Sequence, residues 1–267
     1  MEVTQTVVMR IDGRSGSCLR PISLLPRVNR YAEGSALIHW GNTQVLCTAT
    51  IEEKIPSFLR GTGRGWLTAE YAMLPRATHT RTSRDVSRGK LNGRGSEIQR
   101  LIGRALRAAV DMDQLGERSI LIDCDVLQAD GGTRTASITA AFVAAAEAIR
   151  SLYANKIIAS IPIKAQVAAV SVGKVDGTCL LDLCYEEDSR AEVDANLVMV
   201  HTGDLVEIQG TAEQGVFSRT EMNTFIDLAW GGIQQLHALQ LEALNFTAQE
   251  EKAVGFITDR CGKHESA

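Results

Sequence analysis

The chain has 267 residues, 45% of them hydrophobic and 22% charged, with a net charge of −4. That balance fits a globular protein able to bury a sizeable core. No apolar run approaches membrane-spanning length, and the first residues lack the charged-then-apolar shape of a signal peptide, so the expected setting is the cytoplasm, away from any membrane.

The charge is unevenly spread. Residues 1–110 carry 17 Lys and Arg against 8 Asp and Glu, and the remainder is correspondingly acidic. A polyanion-binding face on the first part is one reading; mutual attraction between the halves is the other. The six cysteines contain no C-x-x-C pair and mostly lie in apolar surroundings, which reads as reduced thiols and not as a disulfide framework or zinc site. The five histidines are scattered singly, so no Ser-His-Asp or Cys-His arrangement suggests itself.

Residues 1–33 are sparsely periodic, with Arg10, Arg14, Arg20, Arg27 and Arg30 among turn formers. Ser35 to Trp40, a Gly41-Asn42 turn, and Thr43 to Thr50 read as a β-hairpin closed by Glu52-Glu53-Lys54. From Ile55 to Lys90 the expectation is irregular chain, rich in arginine (Arg60, Arg64, Arg76, Arg81, Arg84, Arg88) with Trp66 and Tyr71 interspersed. Such a segment suits single-stranded nucleic acid or another phosphate-rich partner, or else a solvated loop.

Glu97 to Val110 predicts an amphipathic helix, with Ile98, Leu101, Ile102, Ala105, Leu106 and Ala109 on one face. Arg94 stands just before it, and Ser96 is the expected N-cap. Ser119 to Leu127 reads as a buried strand, and Ile138 to Ile149 as a helix with almost no polar side chains. Between them, Asp130-Gly131-Gly132-Thr133-Arg134 supplies two turn-permitting glycines, a capping threonine and an arginine in the first helical turn. A helix start attracts anions, and a guanidinium fork matches phosphate geometry. The segment therefore reads as an inorganic phosphate site, against an ordinary turn with a solvated arginine. Arg94 beside the other helix start makes a two-arginine clamp.

A second hairpin is expected from Val167 to Val172 and Thr178 to Tyr185, closed by Glu186-Glu187-Asp188. Strand alternation would put Asp182 on the face of Glu186 and Asp188, and a returning strand from Ala191 to Val200 would bring Asp194 back near Asp188. Carboxylates without cationic neighbours suit Mg²⁺ or Mn²⁺; a solvated acidic turn is the alternative. Arg219 to Leu244 predicts a long helix, with Phe225, Leu228, Ala229, Ile233, Leu236 and Leu239 inward, and residues after Phe246 read as a frayed end. The expected class is α/β (α+β): one domain across 1–267, with internal repeats at about 10–155 and 156–245 and a tail at 246–267.

Taken together, these stretches resemble the ribonuclease PH family. The matching strings include Arg10-Ile-Asp-Gly-Arg14, Leu19-Arg-Pro21, Phe58-Leu-Arg-Gly61, Gly65 to Arg76, Gly93-Arg94, Glu97 to Arg104, Asp123 to Ser137, Leu181 to Asp188, Ala191-Glu-Val-Asp194 and Glu207-Ile-Gln-Gly-Thr211. The resemblance implies a two-repeat RNase PH fold, with mixed sheets packed against helices as in the second domain of a small-subunit ribosomal protein. It implies a phosphorolytic 3′–5′ exoribonuclease, or tRNA nucleotidyltransferase, acting on tRNA precursors and other RNA 3′ ends and assembled as a hexameric ring of three dimers. By the same resemblance Arg94, Gly132, Thr133 and Arg134 bind inorganic phosphate, the co-substrate. Asp188 and Asp194 are the catalytic and metal-holding pair, for Mg²⁺ or Mn²⁺. Arg76, Arg81 and Arg84 bind RNA and support assembly. A catalytically silent RNA-binding ring subunit is the competing reading, and retention of the phosphate and aspartate residues speaks against it.

Overall fold

The computed structural model describes residues 10–84 and 93–258. Arg88 and Lys90, which extend the arginine-rich segment in the sequence, lie outside them.

The first sheet grows from the expected hairpin. β2 (Gly34–Trp40) and β3 (Thr43–Glu52) turn at Gly41, whose φ is +56°. β1 (Ile22–Pro26) adds to the outer edge of β2; its alternation is short and half-exposed, which hides it in the sequence. β5 (Ser119–Gln128) pairs antiparallel with β3, directly after the single-turn helix α2 (Met112–Leu115). The last strand, β4 (Trp66–Met73), runs parallel to β5 and gives the order β1-β2-β3-β5-β4. This corrects the expectation of irregular chain at 55–90. Leu67, Ala69 and Tyr71 alternate inward at period two, a signal masked by the glycines and arginines on either side.

The second sheet is antiparallel throughout, in the order β7-β6-β8-β9. β6 (Val167–Val175) lies between β7 (Thr178–Leu181) and β8 (Val193–Val200), and β9 (Leu205–Ala212) forms the far edge. β7 stops four residues short of the expected Tyr185. Asp182 adopts a left-handed φ of +57°, which ends the strand, and α4 (Tyr185–Asp188) follows as a single turn. Asp182 therefore does not share a strand face with Glu186 and Asp188, as alternation predicted.

Three helices pack against these sheets, and the central one touches both. α3 (Thr133–Ala154) is buried at every residue from Thr135 to Ile149 and packs on β2, β3 and β6. A helix apolar all round has to be central, and alanine lets it approach both sheets. At one point the approach needs glycine: a Cβ on Gly34 would lie 2.0 Å from the Ala144 carbonyl oxygen. α1 (Gly93–Ala109) buries the six predicted apolar residues against β4 and α3. α5 (Arg219–Leu244) packs on β6 and β7; Phe225, Ala229, Ile233 and Leu236 are fully buried, while Leu228 and Leu239 lie at its flank.

The expected frayed end is ordered as far as Thr258. α6 (Ala248–Ala253) starts with a reciprocal cap between Thr247 and Glu250, and α7 (Gly255–Thr258) follows. Val254 is buried and forms a bridge with Ile161, while Phe256 is buried beside it. Arg150 donates to the Leu244 carbonyl at 2.7 Å and pairs with Glu250 at 3.0 Å. Two apolar anchors and a buried-side arginine give this polar segment its place.

Candidate active site

The strand-to-helix turn between β5 and α3 is pinned from both sides. Asp130 N–H donates to Thr43 Oγ1 at 3.0 Å, and that hydroxyl donates to the Gly131 carbonyl at 2.7 Å. Gly131 and Gly132 have φ of +74° and +65°. A Cβ on Gly131 would sit 2.5 Å from the Leu183 carbonyl oxygen, so the turn lies directly on the chain entering α4. The N-cap of α3 is Gly132 and not Thr133, and no side chain caps this helix. Its first-turn N–H groups carry the partial positive charge of the helix start. Thr133, predicted as the cap, instead accepts a 2.9 Å hydrogen bond from Tyr71 OH on β4.

Arg134 leaves the first turn of α3 and is held at its side. Its Nη1 donates to Gln209 Oε1 at 3.0 Å and lies 3.7 Å from Glu97 Oε2. Gln209 Nε2 in turn donates to Glu97 Oε1 at 2.7 Å. Residues of α1, α3 and β9 thus fix one guanidinium. Arg94 is exposed in the first turn of α1, and Ser96, the expected N-cap, lies inside that helix. Together with Tyr71, Arg84, Asp123 and Asp125, Arg94 lines a cavity of about 580 Å³.

The acidic cluster divides into two groups. Asp182 is fully buried and accepts from the Arg20 backbone at 2.7 Å, Arg20 Nη2 at 2.6 Å, Trp40 Nε1 at 2.9 Å and Arg14 Nη1 at 3.2 Å. Glu187 takes a bidentate bond from buried Arg10, at 2.8 and 2.5 Å. Arg10 also donates to the carbonyls of Leu181 and Asp182. Burial alone would raise the Glu187 carboxyl, but the Arg10 bond, the Cys184 N–H and the charges of Arg10 and Arg14 hold it below its ordinary value. These two carboxylates are structural anchors, contrary to the expectation of acids without cationic neighbours.

Asp188 and Asp194 form the second group. Both are half-buried and take no salt bridge among the described residues. Burial first, then the charge of Asp194, pushes the Asp188 carboxyl above its ordinary value, while Arg94, Arg134 and Arg20 pull the other way. That balance brings α1, α3, α4 and β8 into one electrostatic neighbourhood. The two carboxylates offer hard oxygen donors to a divalent cation. Among the described residues no cluster of three or more His, Cys, Asp or Glu is arranged for a metal. Two carboxylates, with water and phosphate oxygens completing the shell, match how Mg²⁺ is commonly held.

The remaining predicted residues are dispersed. Arg76, Arg81 and Arg84 are all exposed on the segment after β4. Arg84 borders the cavity beside Arg94, whereas Arg76 borders a second cavity of about 640 Å³. Sequence reasoning did not assign roles to Gln209, Glu97 or Tyr71. All three lie within strings that carry the family resemblance, and their partners are distant in the chain.

Family models match in tandem: that of the RNase PH 3′ exoribonuclease family, domain 1, over residues 18–150, and that of its domain 2 over residues 165–232. Among solved structures, rice (Oryza sativa) Rrp46 aligns with a TM-score of 0.71 at 19% identity, covering 88% of this chain and 100% of that one. An Archaeoglobus fulgidus exosome with RNA bound to the active site aligns at 0.72 and 22% identity, covering 86% and 92%. An archaeal exosome core aligns at 0.68 and 20% identity, covering 88% and 90%. At these identities the solved structures show a shared α/β fold, while the tandem family matches reach further: the chain belongs to the RNase PH family of 3′ exoribonucleases.

Proposed function

We propose that the chain is a ribonuclease PH: a phosphorolytic 3′–5′ exoribonuclease that trims nucleotides after the CCA end of tRNA precursors and releases nucleoside 5′-diphosphates. The observation that carries this reading is Arg134, held by Gln209 and Glu97 in the first turn of a helix with no side-chain cap, with Arg94 in the first turn of α1. A hydrolase needs a base to activate water. Asp188 and Asp194 are candidates for such a base, but two arginines and the uncapped start of α3 favour a nucleophile that is already an anion.

Inorganic phosphate attacks the phosphorus of the last internucleotide linkage, and the shortened RNA leaves through its 3′ oxygen. The difficulty is electrostatic, because two anions must be held in line. Arg94, Arg134 and the uncapped start of α3 hold the attacking phosphate. Glu97 and Gln209 fix the Arg134 fork before phosphate arrives, so little reorganisation is needed. Gly132 takes the left-handed φ of +65° with which the turn enters α3. Asp188 and Asp194 would hold a Mg²⁺ or Mn²⁺ ion, which supplies charge neutralisation at the transferred phosphoryl group. Arg76, Arg81 and Arg84 lie exposed where an RNA backbone would approach. A phosphodiester is exchanged for a phosphoanhydride, so nucleotide addition from nucleoside diphosphates is the reverse reaction.

Assembly into a hexameric ring of dimers fits the exposed apolar side chains Leu25 on β1 and Leu205 and Ile208 on β9, both edge strands. Among the described residues no helix is long and apolar enough to cross a membrane.

Incubation with a 3′-extended tRNA, with and without phosphate, tests the reading. The expected product is nucleoside diphosphate, formed only with phosphate. Nucleoside monophosphate formed equally well without phosphate would refute it, and no shortening at all would identify a silent ring subunit.

A further inference from the structure

The cavity of about 640 Å³ is bordered by Asp130 at the start of the Gly131-Gly132 turn and shares no lining residue with the Arg94 cavity, and the phosphate chemistry above makes no use of it. One wall is Tyr185, the first residue of α4, whose ring is 54% exposed. Facing it at 6.5 Å between centroids, tilted by 53°, is the His79 ring from the segment after β4. Asn42, Asp130 and Arg76 complete the rim.

Tyr185 is not a loose surface residue. Its backbone N–H donates to Asp130 Oδ1 at 3.2 Å, and the other oxygen of Asp130 accepts from Asn42 Nδ2 at 3.2 Å. The ring is therefore mounted on the same turn that forms the start of α3. Asp188 follows three residues later on α4, about 4.5 Å along a helix axis. Anything stacked on Tyr185 lies within one helical turn of the reacting groups.

The charge of the cavity narrows the ligand. Among its charged residues Asp12 is paired with Arg14 and Arg20 with Asp182, which leaves the carboxylates of Asp130 and Glu186 against Arg76. An excess of carboxylate disfavours a phosphate group and suits a neutral ring with N–H donors on its edge. Arg76, exposed at the rim, is placed for the backbone phosphate that accompanies such a ring. An exposed tyrosine beside an imidazole is a stacking platform of the kind used for single-stranded RNA.

We infer that this cavity receives a nucleobase of the RNA substrate, at or next to its 3′ end, stacked on Tyr185. The inference rests on the RNA-processing reading above but not on the chemistry of cleavage. Its test uses the full chain without phosphate and a short single-stranded RNA carrying 2-aminopurine at the 3′-terminal or the adjacent position. Stacking on a tyrosine quenches that fluorescence. Quenching at saturating RNA is expected in the wild type and in Tyr185→Phe, and its loss in Tyr185→Ala, with RNA affinity about tenfold weaker. The Michaelis constant for phosphate should stay unchanged in Tyr185→Ala. Equal quenching in wild type and Tyr185→Ala, or none in wild type at either position, would overturn the inference. Tyr185→Phe controls for folding, because it keeps the ring and removes only the hydroxyl. If quenching follows Tyr185 while phosphate yields no nucleoside diphosphate, the base site stands and the phosphorolytic reading falls.

Discussion

Glu187 and Asp188 are neighbours on a single helical turn, yet their surroundings set them apart. Glu187 is sealed against Arg10 and held below the usual carboxylate range, whereas Asp188 is left facing Asp194 and is pushed above it. The first carboxylate has its compensating charge built into the fold. The second has like charge beside it and no salt bridge among the described residues, which leaves its oxygens to solvent or a ligand. Adjacent acids in a sequence can thus serve opposite purposes, and the arginines decide which.

The sharpest way to break this contrast is Glu187→Ala. It leaves the Arg10 guanidinium buried without its partner and should cost about 3–5 kcal/mol in urea unfolding. Because Glu187 sits lower in the folded chain than in the unfolded one, its contribution is complete above the ordinary value of 4.5 and is lost as the pH falls through its lowered value. Glu187→Gln should flatten that acid slope. Asp188→Asn should do the reverse of Glu187→Ala, lowering kcat by about 10²–10³-fold while the unfolding midpoint stays in place. A comparable loss of stability would erase the distinction between the two residues.

Smaller effects sharpen it. Arg134→Ala should reduce kcat/KM for phosphate about a hundredfold with the fold intact, and unchanged phosphate kinetics would remove it from the anion site. Replacing Arg76, Arg81 and Arg84 together with alanine should weaken tRNA binding and lower the slope of log affinity against log salt by about 2. Gel filtration of that variant separates an RNA-binding defect from a broken ring. The smallest change is a titration. Asp194→Asn removes the like charge and should move the Asp188 carboxyl down toward 3.8, followed by its carbon chemical shift.

Local patterns were legible in the sequence and long-range ones were not. The β2–β3 hairpin, α1, α3 and α5 follow from periodicity and turn residues within each stretch. The two glycines before α3 and the arginine after them also read directly as a turn and a helix start. The strand through Tyr185 failed because Asp182 turns left-handed to meet Arg14, Arg20 and Trp40, more than 140 residues away in the chain. The Thr133 cap failed for a similar reason, its hydroxyl being claimed by Tyr71 across the sheet. Ser96 reads as a cap only for a helix that starts at Glu97, four residues after Gly93, which α1 includes. In the tail, the anchoring of Val254 and Phe256 depends on a groove that no local pattern describes.

Gly131 presses the turn before α3 onto the backbone at Leu183, so the arginines of the first half meet the aspartates of the second only where the two halves touch. Neither half by itself presents a complete set of ligands. On the proposed reading, phosphate and metal bound together would favour the docked arrangement by mass action, and would double as a clasp that tightens the chain around its own reaction centre.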